Sequence, residues 1–342
     1  MKIKQYQKWV GLKRIHVIDI QNELGFSITF TDMGAGIYQV SYPNHEGKVE
    51  AVTVTPKSWK DYCKSSACYG KVVGRVAGRI AHGTFEIDGK TYHTTINDHG
   101  HTLHGGSDNT AYHRWAYEIL EEVGKVRVVF HTKSKHGKAG FPGNVKFTAE
   151  YTIRDDIMGF DLLLKAMCDQ TTPINLTNHL YLNLSEGKEN ILNHVMTLHA
   201  SKVSQMDPNL IIQEFVPVSD LFDFRKGKKI GEQIDSPSLQ NHQANGYDHV
   251  FYFDDADDLS ILKAEVYCPS SKRYCHIFTN NPCMIVYTGN YPSLRPLLSG
   301  GIEEKYFGLT VETMLPLDKI ENTYLSSEQT YSRRTYYRFG SK

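Results

Sequence analysis

The chain has 342 residues, 40% of them hydrophobic, enough to bury a sizeable core in one large domain or two average ones. Its 38 Lys and Arg balance 38 Asp and Glu, so it lacks the basic excess expected of a nucleic-acid or anionic-membrane binder. No apolar run approaches the roughly 20 residues that cross a bilayer, the first residues carry no signal-peptide core, and the six cysteines form no Cys-x-x-Cys pair; these features predict a cytoplasmic protein with free, mostly buried thiols.

In chain order, β-branched and aromatic runs mark strands at 17–20, 26–30 and 51–55, and residues 57–63 can make a helical turn. Asp88-Gly89 sits between Thr84-Phe-Glu-Ile87 and Lys90-Thr-Tyr-His93, the signature of a hairpin with a type I′ turn. His99, His101 and His104 cluster in a Gly-rich loop without the helix spacing or Cys/His pairing of a metal site, so no metal is expected. Strands follow at 126–131, 145–153 and 161–165, with polar excursions at 133–144 and 185–193 reading as loops. A second helical turn fits 236–243, and residues 284–288 read as a central strand. Helical segments are too few and too irregular for strand-helix-strand units, so the chain reads as one all-β domain over 1–342, a large antiparallel β-sandwich.

The run Pro173-Ile-Asn-Leu-Thr-Asn-His-Leu-Tyr-Leu-Asn-Leu-Ser185 carries the clearest functional signal. Read as a strand, Ile174, Leu176, Leu180, Leu182 and Leu184 share its buried face. Asn175, Thr177, His179, Tyr181 and Asn183 share the other, without a single formal charge. Uncharged hydrogen-bonding groups around a titratable imidazole suit a ligand rich in hydroxyls, and point to a sugar. Three other polar residues stand out. His104 precedes Gly105 and Gly106, Asp248 follows the Asn245-Gly246 turn, and Glu312 lies opposite Leu309, Val311 and Leu315 on a strand. Alone, each has a plainer reading: a loop cap, a turn acid, a solvated outer face.

Together these segments resemble the aldose 1-epimerases, or galactose mutarotases. Nine landmarks occur in family order: Asp32-Met-Gly-Ala35, Gly74-Arg-Val-Ala-Gly-Arg-Ile80, Thr102-Leu-His-Gly-Gly106, Phe141-Pro-Gly143, Asn178-His-Leu-Tyr-Leu-Asn-Leu184, Asp223-Phe-Arg225, Tyr247-Asp-His249, Tyr287-Thr-Gly-Asn290 and Val311-Glu-Thr313. The resemblance implies the galactose mutarotase-like supersandwich, no cofactor, and an isomerase that interconverts the α and β anomers of free hexoses such as galactose and glucose. Position by position, it implies His179 as general acid and Glu312 as general base, with Arg79, His104 and Asp248 holding sugar hydroxyls. Tyr181 is counted with the substrate-binding residues; Tyr181, Tyr247 and Tyr287 each offer a ring for stacking or for the core. Two departures are visible: Gly78 stands where many members have Asn, and Gly36 where a larger residue is common.

On this reading Glu312 is ionised at neutral pH, and a neighbouring carboxylate raises the protonated fraction of His179. The partner is a monosaccharide, and monomer and homodimer both remain open. Three alternatives stand beside it. A hexose-6-phosphate 1-epimerase would use Arg75 and Arg79 on the phosphate, a non-catalytic sugar binder would need neither proton carrier, and a glycosidase pairing Glu312 with Asp248 leaves His179 unused.

Overall fold

The computed structural model describes residues 1–240 and 244–342. Three antiparallel sheets organise it. The first runs in sequence order from Lys2–Val10 to Val49–Ala51, five strands in all. The second has nine strands, in the order Ala116–Glu122, Lys125–Ser134, Val145–Arg154, Gly159–Cys168, Tyr331–Ser341, Arg273–Thr279, Ala264–Cys268, Val195–Leu198 and Lys228–Lys229. The third places Tyr181–Leu182, Leu309–Met314, Cys283–Tyr287, Asp248–Phe253, Ala200–Met206 and Ile212–Pro217 side by side.

Period-two alternation explains why these residues make sheets. In Val145–Arg154, Val145, Phe147, Ala149, Tyr151 and Ile153 are buried, while the residues between them are exposed or half-buried. Such inward rows merge into one apolar cluster that includes Phe30, Phe130, Tyr151, Leu162, Phe251, Val286 and Val311, from all three sheets. Burying each of these larger side chains stabilises the fold by roughly 1.5–3 kcal/mol. The hairpin expected at Asp88-Gly89 is present, with φ of 51° and 72°, as a type I′ turn requires.

Some expectations shift. The strand expected over 51–55 stops at Ala51, and Thr53 keeps only an isolated bridge to Leu182. The first helical turn is Trp59–Lys64, capped by Ser58. The second is Pro237–Gln240, and the rest of 236–243 lies partly outside the described residues. The run from Pro173 is not one strand. It makes three two-residue pairings, Thr172–Pro173, Thr177–Asn178 and Tyr181–Leu182, each with a different partner, because it crosses between layers. All six cysteines are free and buried, and among the described residues no helix is long and apolar enough to cross a membrane.

Candidate active site

The leucine parity of the 173–185 run holds: Ile174, Leu176, Leu180, Leu182 and Leu184 all enter the core. The polar parity divides in two. Asn175 exchanges two hydrogen bonds with the backbone of Leu315, donating to its carbonyl at 3.1 Å and accepting from its N–H at 2.9 Å. Asn183 donates to the carbonyls of Glu189 and Phe307. Both are therefore fastened to the protein, which corrects the expectation of a continuous polar face offered to a ligand. Thr177, whose buried hydroxyl has no hydrogen-bond partner, is not held in this way, nor are His179 and Tyr181.

Glu312 comes from the neighbouring strand Leu309–Met314, where Ile285 is its paired residue. It is 2% exposed, not the solvated acid that strand parity alone suggested. His179 Nε2 lies 3.3 Å from Glu312 Oε1, so residues 133 positions apart in sequence meet as a pair. His179 Nδ1 and Glu312 Oε2 are buried with no hydrogen-bond partner. An unpartnered buried polar group costs about 1–3 kcal/mol, and such groups in a native fold call for an explanation, of which a catalytic role is one.

Burial decides how the pair ionises. It pushes the Glu312 carboxyl up to about 8, reinforced by Asp248 and opposed by Arg79. It pulls the His179 imidazole down to about 4. Between those limits the two groups together hold a single proton, and burial favours its resting on the carboxyl. This corrects the expected ionised Glu312 and promoted His179: loss of hydration outweighs the mutual attraction of the charges.

Around the pair stand the other expected residues. His104 crosses His179 edge-on, with ring centroids 5.4 Å apart. Its Nδ1 accepts from the Gly78 N–H at 3.2 Å, and burial holds its imidazole well below the ordinary range. The plain reading of His104 as a loop cap is therefore also correct. The glycine after it is required: Gly105 has φ of 81°, and a Cβ there would lie 2.4 Å from the Gly74 carbonyl oxygen. Arg79 reaches Asp248 with Nη1 at 3.7 Å and Asp98 with Nε at 2.8 Å. Asp248 is pushed upward by burial, with Arg79 opposing. Tyr181 is packed against His179, Tyr69 and Tyr287. Tyr247 is fully buried and donates to the Leu221 carbonyl, so it belongs to the core.

Asp98 was missed from the sequence, where Asn97-Asp98-His99-Gly100 reads as an ordinary turn; its value lies in the contact to Arg79, which local pattern does not encode. Arg75, the other candidate cation for a phosphate, is 1% exposed, and its guanidinium is spent on Ser134, Thr172 and the carbonyls of Lys135, Pro142 and Gly143. The departure at Gly78 also acquires a physical setting. With φ of +80°, its missing Cβ would lie 2.6 Å from Leu317 Cδ1 and 3.4 Å from Met314 Cε. Apolar side chains fill the space that a larger residue would need.

The site thus offers an acid and a base within one hydrogen-bond length, flanked by a charge-paired guanidinium and a carboxyl. Comparison with known proteins shows the family. A sequence model described as aldose 1-epimerase matches residues 16–334. Galactose mutarotase of Mus musculus is 31% identical over 324 residues, covering 92% of this chain and 91% of its own. Aldose 1-epimerase of Escherichia coli K12 is 27% identical, with 94% of each chain covered. The crystal structure of galactose 1-epimerase from Lactobacillus acidophilus, 24% identical, superposes over 99% of both chains with a TM-score of 0.87, which establishes the shared fold. The chain belongs to the aldose 1-epimerase family of isomerases.

Proposed function

We propose that this enzyme interconverts the α and β anomers of a free aldohexose such as galactose or glucose, with Glu312 and His179 carrying the protons. The supporting observation is the 3.3 Å approach of His179 Nε2 to Glu312 Oε1, with both side chains buried. O1 and O5 of a pyranose are both bonded to C1, so the groups that serve them must themselves lie close together.

In the productive form the shared proton sits on His179. Glu312 takes the O1 proton while His179 delivers its own to O5; the C1–O5 bond breaks and C1 becomes the carbonyl carbon of the open chain. Rotation about C1–C2 presents the other face. His179 then removes the O5 proton, O5 attacks C1, and Glu312 returns a proton to O1. The pair ends with the one proton it began with. Each group contributes roughly 10² to 10⁴ in rate. Hydroxyls donating to Glu312 and the nearby Arg79 favour the carboxylate once sugar is bound. Arg79 and Asp248 supply the donor and acceptor that orient the remaining hydroxyls, and His104 stays neutral beside them.

The engagement of Arg75 by five internal partners argues for a free sugar over a phosphorylated one. Six unpaired cysteines suit a reducing compartment such as the cytoplasm. Polarimetry on freshly dissolved α-galactose and α-glucose tests the reading. Wild-type protein accelerates the approach to anomeric equilibrium, whereas His179→Asn does not; near-wild-type rates in that variant would exclude the assignment.

A further inference from the structure

The solvent face of the nine-stranded sheet carries charge in two contrasting halves. In one half most charges are paired, Arg334 being an exception among the described residues. Arg127 pairs with Glu122 at 2.7 Å and Glu150 at 3.4 Å, Lys125 with Glu122 at 3.0 Å, and Arg154 and Arg338 both with Asp161. In the other half Lys133 and Lys146 are directly opposite each other on adjacent antiparallel strands, an arrangement that repels. Lys165 lies two strands from Lys133 on the same face. Among the described residues, none of these three lysines has an ion pair or a hydrogen bond through its ammonium group. They line a groove of about 600 Å³ floored by Met167, which is 58% exposed, and no Asp or Glu lines it.

The other charges nearby leave the lysines unanswered. Arg114, at the groove's end, is bound to Asp32, and His131 faces Glu118 at 3.6 Å and Thr148 at 3.1 Å. A protein with zero formal charge has thus concentrated uncompensated cations over an apolar floor, at a cost to its own stability, in a groove within the size range of small-molecule sites.

We infer that the groove bounded by Lys133, Lys146 and Lys165 binds a small phosphate ester, its phosphoryl dianion between the lysines and its carbon body against Met167. A dianion answers the repulsion of Lys133 and Lys146, and lysine ammonium groups suit phosphate as point charges. The site lies on the solvent face of a different sheet from the sugar cleft and goes beyond the proposed reaction.

Phenyl phosphate is the probe: it combines the dianion with an apolar body and has no anomeric carbon, so it cannot turn over. Calorimetry at low and high salt should show binding to wild type that weakens with salt, weaker binding of inorganic phosphate, and none of anisole. Lys133→Gln/Lys146→Gln should weaken phenyl phosphate by about tenfold or more while leaving mutarotation unchanged. Lys146→Glu should abolish binding and raise the melting temperature, since it turns a repelling pair into an attracting one. Unchanged affinity in the double variant, or a melting temperature lowered by Lys146→Glu, would overturn the inference. Tighter, lysine-dependent binding of a polyglutamate peptide would also overturn it, assigning the surface to an acidic protein.

Discussion

Replacing Glu312 by Gln should make the protein more stable as it makes it inactive. Burial lifts the folded-state carboxyl from 4.5 to about 8, so the fold favours the protonated form. Stability from that preference is complete below 4.5 and is lost as pH rises through about 8. Relative to an uncharged amide, wild type is therefore penalised by roughly 3 kcal/mol at neutral pH and up to about 5 kcal/mol above pH 8, with under about 1 kcal/mol near pH 5. An amide at this position would keep the shape and never ionise. Urea unfolding of wild type and Glu312→Gln at mildly acidic, neutral and alkaline pH measures the gap. It should widen steadily with pH, while polarimetry on the same samples shows a loss of about 10² to 10⁴ in rate. Parallel stability profiles would mean that the folded protein does not hold this carboxyl protonated, and the shared-proton description of the pair would fail.

Other consequences are equally open to measurement. After subtraction of the spontaneous rate, mutarotation should be level between about pH 4 and about 8, the window in which the pair holds one proton, and should fall on both sides; a rate still climbing well above pH 8 would contradict this. Arg79→Lys should raise KM about tenfold or more with little change in kcat, because an ammonium cannot reach Asp98 and Asp248 as the guanidinium fork does. Asp98→Asn should move KM in the same direction by less, and an unaltered KM would remove Asp98 from the positioning set. Gly78→Asn should destabilise by about 1–3 kcal/mol through its clash with Leu317, and Leu317→Ala in the same chain should recover part of that loss; additive melting temperatures would deny the contact.

What the sequence made legible was whatever local pattern or family wording carries. β-branched and aromatic runs marked strands at 126–131, 145–153 and 161–165, which the fold extends to 125–134, 145–154 and 159–168, and Asp88-Gly89 announced its hairpin, since both depend on neighbours in the chain. His179, Glu312, Arg79, His104 and Asp248 were nameable through the order of their motifs, and the fold brings them to one place. The missing information was tertiary. The division of Asn175 and Asn183 from His179 depends on which backbone lies opposite, as does the fate of Tyr247. The ionisation of the central pair depends on complete burial, and strand parity makes Glu312 appear solvated because it does not reveal what covers the outer face. Asp98 was invisible because a turn residue is informative only once its partner is known.

Asn175 lies four positions before His179. Its amide holds Leu315, three positions after Glu312; its backbone N–H meets the Arg75 carbonyl at 2.8 Å, and its carbonyl receives the Ala77 N–H at 2.7 Å, two positions before Arg79. One interior amide residue is thus the junction of the three segments that bring acid, base and guanidinium together. The spacing of these side chains is set from beneath, by a fully buried joint. On the proposed reading, a change at Asn175 would loosen the gauge of all three groups at once.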